Sequence, residues 1–513
     1  MNTKTKITLS SSVRVCMLST LVWGVLAHGT ALVTKFAMAD EAHYLFSVGA
    51  TASSGRWFLG LLGGLVQKIF GSPNFSLPLW GGLWTLFFTG LCACTLVFWL
   101  DLKKKSSQIL VSGLMTVFPV MSGLFFYNFT APYYAFGLLL VFQGGCILCR
   151  KRGPLPLLAA AVLVCLGLSI YQAFLPLFLS LLLISFLKEL SDREQWSSQS
   201  ILREILWYFL GVLLIAAMYL LSVKLSTALV KEGLTDYKGI STMGSAAPAE
   251  YLHRIKAAIY LFFLPAKADR YAFLFPYQLL NIYRITLVGL GGFGAWLVFR
   301  FFCQSPAKAA AAALALLCFP LAVNFIYVVC AQEDIYNLML FGLLAPFMLL
   351  ICFTEWLPAV RLHKAASVLL LVFCLFCIRT DNAVYARGQL IQQRTISYFT
   401  SMIASIKSVP GYSASTPVAF VGNTSYAMDP TFQSIEGYGG ISMAPLPYDA
   451  SPFSIGYSWQ DFLTLWCGFT PPYADAEDYA ALPEVQEMPS YPDSGSIRIV
   501  DGAVIVKLRD VQP

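Results

Sequence analysis

The sequence predicts an all-α polytopic membrane protein of about eleven transmembrane helices, followed by a small extracytoplasmic α/β domain. Three observations carry this prediction. Of 513 residues, 58% are hydrophobic and only 12% charged, against roughly 25% charged residues in an ordinary soluble domain. Apolar runs close to the ~20 residues that cross a bilayer recur until about residue 380. Beyond that point the pattern stops and the charge reverses, with six Lys and Arg against thirteen Asp and Glu in residues 380–513 of a chain whose net charge is +7. The expected domains are therefore a transmembrane region, 1–380, and a soluble α/β region, 381–513.

The first apolar run, about 13–33, lacks a small-residue cleavage site and reads as the first transmembrane helix. Lys4, Lys6 and Arg14 place its start in the cytoplasm, because basic residues of short loops stay on that side. AMADEAHYLF, residues 37–46, then falls outside, at the head of a first external loop, 34–78. Residues 57–70 are apolar but short and glycine-rich, and read as a helix lying in the outer interface. With that assignment the clusters alternate: DLKKK (101–105) inside, YNFTAP (127–132) outside, RKR (150–152) inside, SIYQAF (169–174) outside, KELSDRE (188–194) inside. A helix near 205–226 leads to an external loop, 227–276, whose LHRIKAAIYLFFLPA reads as a second interfacial helix. Helices near 277–302, 309–329, 336–354 and 365–379 complete the count and leave the C-terminal region outside.

That region reads as a helix over 388–408 stopped by Pro410-Gly411, a strand at 417–423, and a hairpin over 496–508 turning at Asp501-Gly502. Thirteen cysteines fall mostly inside apolar runs, so the pairs Cys146/Cys149 and Cys374/Cys377 read as small apolar residues rather than redox or zinc motifs. GLGGFG (289–294) sits inside a membrane helix, where glycines serve helix packing and not a nucleotide. The basic excess of the first region is topological, and no nucleic-acid partner is implied.

On this topology the polar residues at apolar boundaries gather on the outer face. Asp40 and Glu41 follow the first span directly; they decorate the interface, or one of them, desolvated beside the membrane, serves as a general base. His43 reads as a hydrogen-bonding neighbour that contacts substrate. In SSGRW (53–57), Arg56 offers a planar fork suited to a phosphate and Trp57 a ring suited to the headgroup level, anionic-lipid anchoring being the plainer alternative. Lys267 and Arg270 in KADRY repeat the cationic signal in the second loop. Tyr171 and Gln172 interrupt an apolar run from 155 to 187, and Glu333 and Asp334 end another span; each pair suits acceptor binding or plain packing and capping. No acidic or histidine cluster has metal-ligand spacing, so the reading is metal-independent, although Asp40 and Glu41 could share a divalent ion with a phosphate.

The order of these motifs resembles a known family. An acidic pair after the first helix, GRW some fifteen residues later, a YQ break near 170 and an acidic aromatic segment near 333 are similar to the Gtr-type bacterial and phage glucosyltransferases, within the GT-C class of membrane glycosyltransferases. The resemblance implies transfer of glucose from a polyprenyl-phosphate donor to a surface glycan such as O-antigen, at the outer face of the cytoplasmic membrane, alongside a polyprenyl-phosphate glucose synthase and a flippase. It also implies a catalytic carboxylate in the first loop, here Asp40 or Glu41, where Asp-Glu replaces the commoner Asp-Asp. Other classes predict other patterns. A flippase for lipid-linked sugars would place ionisable residues in mid-helix, an O-antigen polymerase would carry an arginine-rich loop in the second half, and a scaffold protein would leave the shared-face motifs unexplained.

Overall fold

The computed structural model describes residues 10–37, 39–193, 196–235, 246–267, 275–330, 335–356, 359–422 and 458–508. The chain divides into two compact units: Met1–Val33 with Ser47–Asn382, and Thr34–Phe46 with Ala383–Pro513. Residues 34–46, which carry the acidic pair, are thus part of the second unit, and the rest of the expected loop 34–78 belongs to the first.

The first unit is helical. Its helices are α1 (Ser11–Val33), α3 (Trp57–Phe70), α4 (Pro78–Trp99), α5 (Lys105–Val117), α6 (Pro119–Phe126), α7 (Ala131–Arg150), α8 (Pro154–Leu168) and α9 (Leu175–Asp192). They continue with α10 (Ser198–Val230), α11 (Pro248–Phe263), α12 (Tyr277–Phe302), α13 (Pro306–Val323), α14 (Ile326–Val329), α15 (Ala345–Trp356) and the first part of α16 (Val360–Lys407). Prolines open α4, α6, α8, α11 and α13, where a missing N–H costs nothing because the first turn has no intrahelical acceptor.

Eight helices among the described residues are long and apolar enough to cross a membrane, and a ninth arises if α5 and α6, bent by 43°, form one span. Eleven is not reached by this measure, because α8 and the apolar stretch Phe341–Trp356 are shorter. The bend has a local cause: Pro119 forces Phe118 out of the helical region to φ −62°, ψ 138°. The expected span at 309–329 ends early, at Val323, with Pro320 inside its last turn. Most of the expected span at 336–354 is not regular helix at its start, where 3₁₀ turns over Asn337–Met339 and Phe341–Leu344 precede α15. The helices expected at 365–379 and 388–408 are one 48-residue helix, since no proline interrupts the chain between Val360 and Pro410.

Only 17% of the most apolar stretch of α10 is buried, and Leu206, Leu210, Leu213, Leu221 and Leu225 remain exposed along it. Such a continuous apolar stripe is unstable in water but suits lipid. One end of the helical unit collects the charged loops. Asp101 pairs with Lys103 at 2.6 Å and lies 3.8 Å from Lys188, and Arg152 bridges Glu204 at 2.5 Å and Glu189 at 3.5 Å. At the same end Lys308 donates to the Arg193 carbonyl at 2.9 Å, and Glu355 accepts from the Lys103 and Lys104 amides at 3.0 and 2.9 Å. His28 in α1 and Asp381 in α16 depart from the expectation that ionisable groups stay at surfaces, both being fully buried. His28 Nε2 lies 2.8 Å from the Thr116 carbonyl, and its ring stacks on Phe125.

The second unit contains α2 (Ala39–His43), the remainder of α16, strand β1 (Val418–Val421), α17 (Gln460–Cys467), the single-turn helices α18 (Glu477–Ala480) and α19 (Pro483–Gln486), and strands β2 (Ile497–Val500) and β3 (Ala503–Lys507). Its sheet has the order β1-β3-β2, with β1 parallel to β3 in the register Val418↔Val504 and β2 antiparallel to β3 in the register Ile497↔Val506. The hairpin turns on Asp501 at φ 46° and Gly502 at φ 81°, both left-handed as a type I′ turn requires. Ala37 and Ala42 belong to the same core as Phe399, Trp459, Phe462 and Val504.

Candidate functional site

In the first unit, the SSGRW segment folds as a 3₁₀ turn, Ala52–Ser54, closed by Gly55 at φ +69°. Glycine is required there twice over. A side chain would be strained at this φ, and a Cβ would lie 2.8 Å from Tyr219 Oη and 3.0 Å from Gln172 Nε2. Gln172 Nε2 donates to the Ser54 carbonyl at 2.7 Å and to Tyr219 Oη at 2.9 Å, tying the turn to the break between α8 and α9 and to α10. Trp57 Nε1 donates to Ser222 Oγ at 3.0 Å on the same helix.

This frame presents Arg56. Its Nη1 donates to Tyr134 Oη at 3.1 Å, and its guanidinium carbon lies 5.2 Å from the centre of the Tyr171 ring. Tyr134 and Tyr171 stack on each other with centres 4.3 Å apart and planes 17° apart. A half-buried guanidinium braced by a hydroxyl and an aromatic face is held in a fixed plane, a geometry suited to an anion. Partial burial strengthens that attraction relative to open water.

In the second unit, the acidic pair sits on the short helix α2. Glu41 is 1% exposed and accepts from Lys35 Nζ, while Asp40 keeps accessible surface. Burial lowers the Lys35 ammonium below the usual lysine range, and the charge and hydrogen bond of Glu41 oppose it. The chain leading into the pair is fixed by three hydrogen bonds: Gln392 Oε1 accepts from the Ala37 amide at 3.2 Å, Gln392 Nε2 donates to the Lys35 carbonyl at 3.1 Å, and Gln389 Nε2 donates to Thr34 Oγ1 at 3.1 Å. His43 Nδ1 lies 2.8 Å from Asp461 Oδ2 on α17.

Of the residues singled out in the sequence, Arg56, Trp57, Tyr171 and Gln172 come together in one cluster, and Asp40, Glu41 and His43 share α2. Lys267 ends the 3₁₀ turn Pro265–Lys267 after α11, exposed, and makes no side-chain hydrogen bond or ion pair among the described residues. Arg270, Glu333 and Asp334 lie outside the described residues. Tyr134, Tyr219, Ser222, Lys35 and Asp461 complete the two clusters and were not singled out; no motif marks any of them. All thirteen cysteines are free thiols. Among the described residues, no three His, Cys, Asp or Glu side chains are grouped so as to hold a metal ion.

A mostly helical protein whose long helices carry continuous lipid-suited apolar faces defines a membrane protein. Residues 29–350 match the family described as glucosyl transferase GtrII, and the chain belongs to that family of glucosyltransferases. No curated protein and no solved structure matches the chain.

Proposed function

We propose that the protein is a membrane glucosyltransferase of GT-C type that moves glucose from a polyprenyl-phosphate donor to a surface glycan of the O-antigen kind, with inversion at the anomeric carbon. The accessible Asp40, not the buried Glu41, removes the proton from the acceptor hydroxyl. The hydroxyl oxygen bonds to the glucose C1 as the C1–O bond to phosphate breaks, and the electron pair leaves on the phosphate oxygen. Arg56 neutralises that departing charge. The observation that carries this reading, beside the family, is the placement of Arg56 against the stacked Tyr134 and Tyr171, bonded to the hydroxyl of one and near the ring of the other, on a turn where only glycine fits before it.

In this reading α8 and the Phe341–Trp356 stretch complete eleven crossings of the cytoplasmic membrane, with the N-terminus in the cytoplasm and the acidic loop and C-terminal unit outside. The charged end of the helical unit then faces the cytoplasm, in line with the positive-inside rule. A synthase makes the donor on the inner face and a flippase delivers it outward. No metal takes part.

The test supplies purified protein with polyprenyl-phosphate glucose and lipopolysaccharide, comparing the native chain with Asp40→Asn and Glu41→Gln. Asp40→Asn abolishes transfer while the protein stays folded. Undiminished transfer by that variant removes Asp40 from the role, and absence of transfer by the native chain rejects the donor. A reporter fused after residue 75 reads as external and one after residue 104 as cytoplasmic; the reverse would sink the topology.

A further inference from the structure

We infer that the cleft where α9, α12 and α15 end binds an anionic phospholipid, with the headgroup phosphate on Arg300 and Ser191 and an acyl chain running along α12 over Gly292. Ser191, Arg300 and an aromatic wall of Phe293, Trp296, Phe353 and Trp356 line the cleft. Its three helices stop at Asp192, Phe302 and Trp356, at the end of the helical unit that gathers the charged loops. The two groups suited to a phosphate are uncommitted. Arg300 lies 5.4 Å from the centre of the Trp296 ring and makes no hydrogen bond or ion pair among the described residues, and the Ser191 hydroxyl makes none either. The carboxylates that flank the cleft in sequence are already engaged, Asp192 by Lys188 and Glu355 by the Lys103 and Lys104 amides. The planar fork of Arg300 therefore stands ready for two phosphate oxygens.

The setting selects a lipid over a free ion. Only 28% of the most apolar stretch of α12 is buried, and Ile285, Val288, Trp296, Phe299 and Phe302 are exposed along it. Arg300, Trp296 and Gly292 recur every four residues and so form one strip running inward from the helix end. Arg300, in the last turn, lies at headgroup depth, where a long cationic side chain reaches phosphates and a tryptophan ring settles. One turn deeper than Trp296, Gly292 is exposed, and a Cβ there would meet nothing within 4 Å. Of the GLGGFG glycines expected to serve helix packing, Gly294 lies against Leu316, whereas Gly292 leaves a gap in the side chains on the lipid face. An acyl chain fills that gap. Inorganic phosphate would use the cation and not the strip, and a zwitterionic lipid brings its own cation to compete with Arg300.

The test is native mass spectrometry of the full-length protein released from detergent micelles, with phosphatidylglycerol or phosphatidylcholine of the same acyl chains added. It needs no sugar donor, so it stands apart from the reaction above. The native protein retains one phosphatidylglycerol in preference to phosphatidylcholine. Arg300→Gln weakens that retention about fivefold, the share of one interfacial cation, and Arg300→Lys weakens it less. Gly292→Leu, at an exposed position with open space, keeps the fold and also weakens retention because its side chain occupies the strip. Arg361→Gln removes another exposed cation, at the start of α16, and leaves retention unchanged. Equal retention of the two lipids by the native protein overturns the proposal, as does equal loss in Arg300→Gln and Arg361→Gln, which would reduce the effect to general surface charge. Displacement of phosphatidylglycerol by inorganic phosphate makes the cleft a phosphate site and overturns the lipid assignment. Native-like retention by Gly292→Leu removes the acyl chain from α12.

Discussion

Replacing Gly55 with alanine adds one methyl group at the point where the SSGRW turn meets two other helical segments. The left-handed φ of +69° costs a non-glycine residue about 1–2 kcal/mol. The new Cβ would stand 2.8 Å from Tyr219 Oη and 3.0 Å from Gln172 Nε2, inside normal contact, so those side chains must retreat. Retreat weakens the bonds of Gln172 to the Ser54 carbonyl and to Tyr219, each worth about 1 kcal/mol. The total is about 3 kcal/mol, or about a hundredfold if it falls on the step that uses Arg56. Glucose transfer and thermal unfolding of the purified variant are the assays, and both fall. A second substitution sharpens the test, because Tyr219→Phe removes the atom in closest conflict. Gly55→Ala in the Tyr219→Phe background must therefore cost less than the two changes summed. Native-like transfer by Gly55→Ala, or strict additivity with Tyr219→Phe, would refute the steric reasoning.

Other consequences can be checked separately. Tyr134→Phe deletes only the hydroxyl that holds Arg56, and lowers transfer about tenfold, mainly through the donor KM, at unchanged expression. Glu41→Gln leaves Lys35 without its counter-charge and costs about 2 kcal/mol at neutral pH, measured by chemical or thermal unfolding. Lys35 is already lowered by burial, so the unfolded chain binds more protons between the folded and unfolded lysine values, and stability rises with pH across that window. Removing Glu41 extends the window downward, so the deficit of Glu41→Gln shrinks as the pH is raised. Burial pushes the Cys467 thiol up to about 11, so maleimide labels it slowly at neutral pH and faster as the pH climbs, read by peptide mass spectrometry.

The helical class and the positions of most spans were legible because hydropathy over a long window integrates many residues and tolerates local error. The short elements were not. Pro119 bends a run that looks uniform in hydropathy, and nothing between 380 and 388 stops a helix even though the apolar pattern ends there. In the candidate site, Arg56, Tyr171 and Gln172 stood out as polar or charged interruptions of apolar runs. Tyr134 and Tyr219 stood out less, because an aromatic residue in a membrane helix resembles the ordinary interfacial belt. Asp461 was invisible in principle: it meets His43 across 418 positions of sequence, and only folding makes them neighbours.

The membership of Thr34–Phe46 in the C-terminal unit bears on how such chains can be recombined. A chimaera that exchanges everything after residue 382 but keeps the native loop would seat α2 on a foreign core, with Ala37, Ala42 and His43 facing partners they do not fit. Moving residues 34–46 together with the tail preserves that fit. The natural unit of exchange is thus discontinuous in sequence, and whatever preference the tail confers would travel only with its loop.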